Sequence, residues 1–123
     1  DVVYAVPNKC QTDLLNGEDM PDRAVIVDRG EVPIVEKVLK AQAAGANGVI
    51  VVDDGGCNEG FVDCGRLGGV RDSGFAKRDG AHAWSGVKIP AVLVSTADGQ
   101  RLRGVMRLQK VVVKGLGEQL VER

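Results

Sequence analysis

The stretch RAVIVDRGEVPIVEKVLKAQAAGANGVIVVDD, residues 23–54, decides the fold. It reads as a strand over Ala24–Asp28, a turn at Arg29-Gly30, a helix from about Pro33 to Ala44 and a second strand over Gly48–Asp53. Both strands are Val/Ile runs too short for helices and too apolar for a strand with one wet face, so they predict a sheet covered on both sides. Pro33 suits a first helical turn, where its missing N–H costs nothing. Gly45 suits the left-handed residue just past a helix end. Together these make a β-α-β unit with parallel strands, and such crossovers are right-handed. The short gap between strand and helix puts Arg29 and Gly30 at the carboxyl end of a strand, where α/β sheets bind ligands.

Outward from this unit, Asp1 to Val6 reads as an opening strand that stops at Pro7-Asn8, and Cys10 to Leu15 as a helical turn. Asn16-Gly17 and Met20-Pro21-Asp22 punctuate the chain before the central unit. Gly55 to Lys88 is a long segment rich in Gly, Asp, Arg and Lys. Loops of this length usually serve a purpose. Phe61, Leu67, Val70, Phe75 and Trp84 would tack it down as an ordered flap. Ile89 to Ser95, IPAVLVS, is another short apolar strand with Pro90 near its start. Ser95-Thr96-Ala97-Asp98 has the form of a capping box, predicting a helix from about Thr96 to Arg103 that ends near Gly104. Met106 to Lys114 reads as a final edge strand, and Gly115 to Arg123 as a frayed tail.

The whole chain, 123 residues with 44% apolar, is sized for one domain, and its abrupt start at Asp1 suggests a piece of a larger protein. The core is aliphatic, with one Trp, one Tyr and two Phe. A net charge of −1 gives no drive toward nucleic acid or acidic lipid. No apolar run approaches the ~20 residues of a membrane helix. The basic residues Arg101, Arg103, Arg107, Lys110 and Lys114 lack the aromatic neighbours of a nucleic-acid face and read as solvated positions.

The chemistry-bearing residues are sparse. Three cysteines are an odd number. Cys57 and Cys64 share a Gly-rich loop and are candidates for a disulfide in an oxidising compartment; the other reading is three reduced thiols. Asp53, Asp54, Glu59 and Asp63 with Asn58 offer oxygen ligands for Ca²⁺, but not at EF-hand spacing, so a solvated loop is the plainer reading. His82 with Cys57 and Cys64 gives only three ligands at irregular spacing, which argues against zinc. A hydrolase would have to use that single His with one of those cysteines, and no Gly-x-Ser-x-Gly elbow or phosphate-binding loop is present. The expectation is therefore no catalytic residue, metal or cofactor. Arg29 offers charge-assisted donors to a peptide carboxylate or carbonyl, or else pairs with Asp28, Glu31 or a flap acid and fixes its turn.

The string DRG-x-x-P-x-V-x-K-V-x-x-A-Q-x-A-G-A-x-G-V-I-V-V-D-D, from Asp28 to Asp54, resembles the protease-associated (PA) domain. I-P-A-V-L-V-S-x-x-D-G-x-x-L, from Ile89 to Leu102, is similar to that family's second block at the right distance. The resemblance implies a PA-type β/β/α fold: two packed small sheets or an open barrel, two or three flanking helices and the Gly-rich flap. It also implies a non-catalytic domain that binds peptide or protein, as substrate or cargo, for a larger protease, receptor or ubiquitin ligase. A lid, spacer or dimerisation domain beside a protease is the alternative. KAQAAGANGVIVVDD is particularly similar to the lumenal PA domain of vacuolar sorting receptors, which implies the extracellular space or the lumen of the secretory and vacuolar pathway. The resemblance marks Arg29, Gly30 and Glu31 as peptide contacts, and a groove between that turn and the flap would have Ile89 and Pro90 at its rim. The family often reads R-G-x-C-x-F here. Val32 and Ile34 replace the Cys and the Phe, so the family's usual disulfide to an N-terminal cysteine cannot form and Cys10 is left unpaired.

Overall fold

A computed structural model describes residues 1–56 and 84–122. Four strands, β1 (Val2–Tyr4), β2 (Ala24–Asp28), β3 (Gly48–Val52) and β4 (Ala91–Val94), form one parallel sheet in the order β1-β2-β3-β4. Helix α1 (Ile34–Ala43) links β2 to β3, and α2 (Thr96–Met106) follows β4. A two-stranded antiparallel hairpin, β5 (Gln109–Val113) and β6 (Gly117–Val121), completes the described fold.

The period of two along each strand separates the core into two layers. Val3, Val25, Val27, Val49 and Val51 face Ile34, Val38 and Ala41 of α1, with Trp84, Val87, Ala91 and Leu93 packed around them. Tyr4, Ile26 and Val52 face the other way, against Leu102 and Met106 of α2 and Leu108 and Leu120 of the hairpin. Both faces of the parallel sheet are thus covered.

Gly45 closes α1 as its position predicts. At φ +94° it donates to Gln42 O at 2.9 Å, while Ala46 N donates to Ala41 O at 3.0 Å. These two bonds form a Schellman motif and satisfy carbonyls the helix leaves open. At the start of α2, Ser95 Oγ accepts from Asp98 N at 3.0 Å. The Asp98 carboxylate accepts from Arg101 Nη1 at 2.9 Å.

The carboxyl-terminal quarter departs from expectation. α2 runs through Gly104 to Met106 and ends at Arg107, which takes the left-handed conformation at φ 53°. Leu102 and Met106, four residues apart, both enter the core, and that burial outweighs the weak helix propensity of Gly104. The segment expected to fray instead forms β6. Gly115 and Gly117, at φ +82° and +71°, make the tight reversal, and every residue from Gln109 to Val113 finds a partner in Gly117 to Val121. Asn8 then fastens β6: Nδ2 donates to Leu120 O at 2.9 Å, and Leu120 N donates to Asn8 Oδ1 at 2.7 Å. Cys10 to Leu15 has no helix; Leu15 N donates to Val6 O at 2.7 Å, and the one short helical turn of this connection lies at Gly17–Asp19.

Gly99, which weakens the sequence case for α2, proves to be what lets the helix approach the sheet. A Cβ there would lie 2.3 Å from Val52 Cγ1, a distance that requires displacement. Gly104, on the same helix, has nothing within 4 Å of its virtual Cβ. Gly99→Ala should therefore lower stability by about 1–2 kcal/mol, overpacking outweighing the gain in helix propensity. Gly104→Ala should raise it by about 0.5–1 kcal/mol. Urea denaturation of the two variants checks the opposite signs.

Candidate functional site

Arg29 and Asp53 follow directly on β2 and β3, at the carboxyl end of the sheet. Arg29 N donates to Val52 O and Asp53 N to Val94 O, each at 2.9 Å, so both backbones extend the ladder by one step. Their side chains meet: Arg29 Nη1 donates to Asp53 Oδ1 at 2.7 Å, and the residues are only 4% and 6% exposed. Asp53 Oδ2 accepts from Gly55 N at 2.9 Å, and Thr96 Oγ1 donates to Asp53 O at 3.0 Å. Among the described residues, Arg29 forms the ion pair that the sequence allows it, with Asp53.

A second cation sits beneath the turn. Lys37, on α1 and fully buried, donates from Nζ to Gly30 O at 2.6 Å and to Lys9 O. Lys40, one turn along, donates to Cys10 O at 2.6 Å and Thr12 O at 3.1 Å. The turn itself is sharp. Gly30 has φ +120° and Glu31 φ +68°, and Val32 N returns to Gly30 O at 2.8 Å. The Lys9 side chain lies across Gly30, 3.5 Å from where a Cβ would sit. Glu31 is exposed at the apex. The result is a small ridge anchored from below by two buried cations.

Cys10 lies beside this anchor as a free, fully buried thiol. Burial pushes its pKa up to about 11, against the opposing pull of Lys37 and Lys40.

On the α2 side of the sheet, Tyr4 donates its hydroxyl to Asp28 Oδ1, and Arg103 Nη2 donates to both the Tyr4 hydroxyl and Asp28 Oδ1 at 3.1 Å. Burial and the Asp28 charge raise the Tyr4 pKa well above the ordinary phenol value. Arg103 is thus a partly buried bridge from α2 to the sheet, not the solvated position expected of it. Its signal in the sequence was indistinguishable from that of Arg101 and Arg107, because nothing local to α2 identifies a partner 75 or 99 residues away.

Ile89 and Pro90 do not join the Arg29 turn. Val49 N donates to Pro90 O at 2.9 Å, which puts Pro90 beside the start of β3, at the amino end of the sheet. The turn is at the carboxyl end, about 13 Å of strand away. The parallel register of β2, β3 and β4 holds the two sets at opposite ends of the sheet, and most of the flap expected to form the other side of the groove lies outside the described residues. Cys57, Cys64, His82, Asn58, Glu59 and Asp63 lie outside the described residues, as does most of the flap. Among the described residues no group of three or more His, Cys, Asp or Glu is gathered as a metal cage, and no helix is long and apolar enough to cross a membrane.

With this geometry in place, comparison with known families gives a match of the PA domain to residues 1–102. The match ends inside α2 and leaves the hairpin outside it. No curated protein matches the chain.

Two expectations follow. Breaking the buried pair from one side, Arg29→Met or Asp53→Leu, should each cost about 3–5 kcal/mol, because the charge left inside loses its ion-pair partner. The double variant should cost clearly less than the sum, and a double-mutant cycle by chemical denaturation measures the difference. The Cys10 thiol is neutral in the fold to a higher pH than in the unfolded chain, so its contribution to stability is complete below pH 9 and lost as pH rises from 9 through about 11. Cys10→Ala should flatten the fall in stability across that window in denaturation curves.

Proposed function

Because the chain belongs to the protease-associated domain family, we propose that it holds a peptide or protein segment, as substrate or cargo, for the larger protein that carries it, and itself makes and breaks no bonds. PA domains are protease-associated modules, generally non-catalytic and engaged in interaction. The contact surface in this reading is the ridge at Gly30 and Glu31, with Arg29 acting from beneath as a positioning residue. The lumen of the secretory or vacuolar pathway, or the extracellular space, is the compartment that fits the likeness of Lys40–Asp54 to sorting receptors.

The observation that carries the reading is the anchoring of an exposed turn by buried charge. Lys37 Nζ, fully buried, holds the Gly30 carbonyl, and the Arg29–Asp53 pair fixes the residue before it. A loop held this way loses little conformational freedom when a ligand docks, and pre-ordering of that kind improves affinity. The exposed Glu31 carboxylate adds a hydrogen-bond acceptor and a negative charge, which favours a ligand with an N–H or cationic group at that point.

A displayed peptide library selected on the immobilised chain tests this. The expected binders lose at least tenfold in affinity on Glu31→Lys, a surface change that leaves the melting temperature within about 1 °C. A library that yields no binders, or binders indifferent to Glu31→Lys, overturns the assignment of the turn.

A further inference from the structure

The sheet ends at β4, and its outer edge has unused main-chain groups. In the parallel register, Val49 N donates to Pro90 O and Asp53 N to Val94 O, so Pro90, Val92 and Val94 direct their polar groups toward β3. Ala91 and Leu93 direct theirs the other way, and among the described residues none of those four groups has a partner. The opposite edge is managed differently. There Asn16 covers β1, its Nδ2 donating to Tyr4 O at 2.8 Å and its Oδ1 accepting from Val6 N at 3.0 Å. No comparable side chain covers β4 among the described residues.

An apolar groove adjoins the open edge. Ile50, Val92 and Val94 form its floor, and Leu102 and Val105 of α2 its wall, enclosing about 400 Å³. Val92 is 51% exposed and Val105 83%, high values for aliphatic side chains that adjoin one another. Among the described residues, the charges at the rim are Asp98 and Arg101, which pair at 2.9 Å.

We propose that β4 and this groove accept an extended, uncharged, aliphatic segment of a partner protein, added to the sheet as a fifth strand. The free N–H and C=O groups of Ala91 and Leu93 supply the ladder, and alternate side chains of the added strand enter the groove under Leu102 and Val105. The internally neutral rim complements a segment without charge; a Lys or Asp entering the groove would leave water with no new partner. Size argues against a second copy of the chain as the occupant. Seven of the described residues line the groove, against roughly 20–30 residues a side in a stable dimer. This proposal rests on the reading of the chain as an interaction module, but it uses a different surface from the Glu31 turn.

The test titrates the full 123-residue chain with an acetylated, amidated heptapeptide of alternating Thr and Val/Leu, followed by amide chemical shifts. The expected result is saturable shifts at Ala91 and Leu93. Binding should fall at least tenfold when the amides on one edge of the peptide are N-methylated, and at least tenfold on Val92→Lys, while Glu31→Lys changes nothing. Val105→Asp, fully on the surface, should weaken binding in the same way and guards against a folding defect in the first variant. The proposal is overturned by the absence of shifts at millimolar peptide, by binding indifferent to N-methylation or to both groove variants, or by shifts confined to residues 29–32. It is equally overturned if light scattering finds a dimer that Val92→Lys dissociates, or if contacts from residues 57–83 of the same chain already occupy Ala91 and Leu93. Loss of library binding on Glu31→Lys together with failure here would refute the edge site and leave the turn standing.

Discussion

Lys37 fastens the turn at Gly30 to the amino-terminal stretch at Lys9, beside the main-chain bond from Asp28 N to Asn8 O at 2.8 Å. Its ammonium, fully buried, lies between the carbonyls of Lys9 and Gly30. In the family pattern this same pair of segments, the turn and the amino-terminal stretch, is joined by a disulfide. Here Val32 stands where that cysteine would be, and Cys10 remains a free thiol. A charged donor between two carbonyls is a noncovalent replacement. It does less than a disulfide to limit the unfolded chain, since a covalent link restricts that ensemble and a hydrogen bond does not. In the folded state, however, it is stringent. An ammonium placed away from water must keep its acceptors, because an unpaired one costs several kcal/mol. The contact that holds the turn to the amino-terminal stretch here is thus made of hydrogen bonds from one ammonium.

The Arg29–Asp53 pair extends the same logic across the end of the sheet. β2 and β3 already pair from Ala24 to Asp28, and the ion pair carries the link one residue beyond the ladder. A buried ion pair of this kind adds little net stability compared with apolar side chains of equal volume, because both charges lose their water. What it supplies is direction: the two strand ends cannot separate or slip without breaking the pair. A rigid ridge at Gly30 and Glu31 follows from that constraint, not from any rigidity of the turn residues themselves.

How much of this was legible depended on range. The β-α-β unit was readable because its signals are local and agree: two Val/Ile runs, Pro33 at the N-cap of α1 and Gly45 in the left-handed position after it. The hairpin was not, because Lys114-Gly115-Leu116-Gly117 is an ordinary loop until Asn8, over 110 residues earlier, takes both main-chain groups of Leu120. Gly99 and Gly104 look alike in sequence, five residues apart in one helix, and only the position of Val52 distinguishes the one that matters. Arg29 was placed at a strand end, but Asp53 was not among the partners the sequence suggested, because it lies 24 residues away and only the pairing of β2 with β3 brings it alongside. The end of the sheet at which Ile89 and Pro90 lie was illegible for a different reason. A pair of motifs adjacent to sheet strands says nothing of which end of the sheet each occupies until the parallel register is known.

That register has a consequence for any ligand. In a parallel sheet every strand begins at one end and finishes at the other, so a turn following β2 and a segment preceding β4 face opposite rims. A short peptide gripped at Glu31 cannot also lie along Ile89-Pro90 unless it crosses the length of the sheet. At about 3.3 Å per extended residue, that crossing takes at least four residues. The edge of β4 is the path between the two rims, since it runs from Pro90 at the amino end to Val94 beside Asp53 at the carboxyl end. A ligand long enough to use both surfaces would have to follow that edge as a strand, and its affinity would then exceed that for either surface alone because the second contact becomes intramolecular. The parallel register thus separates two sets of residues that a linear reading of the motifs merges, and the edge of β4 is one continuous line of main chain between them.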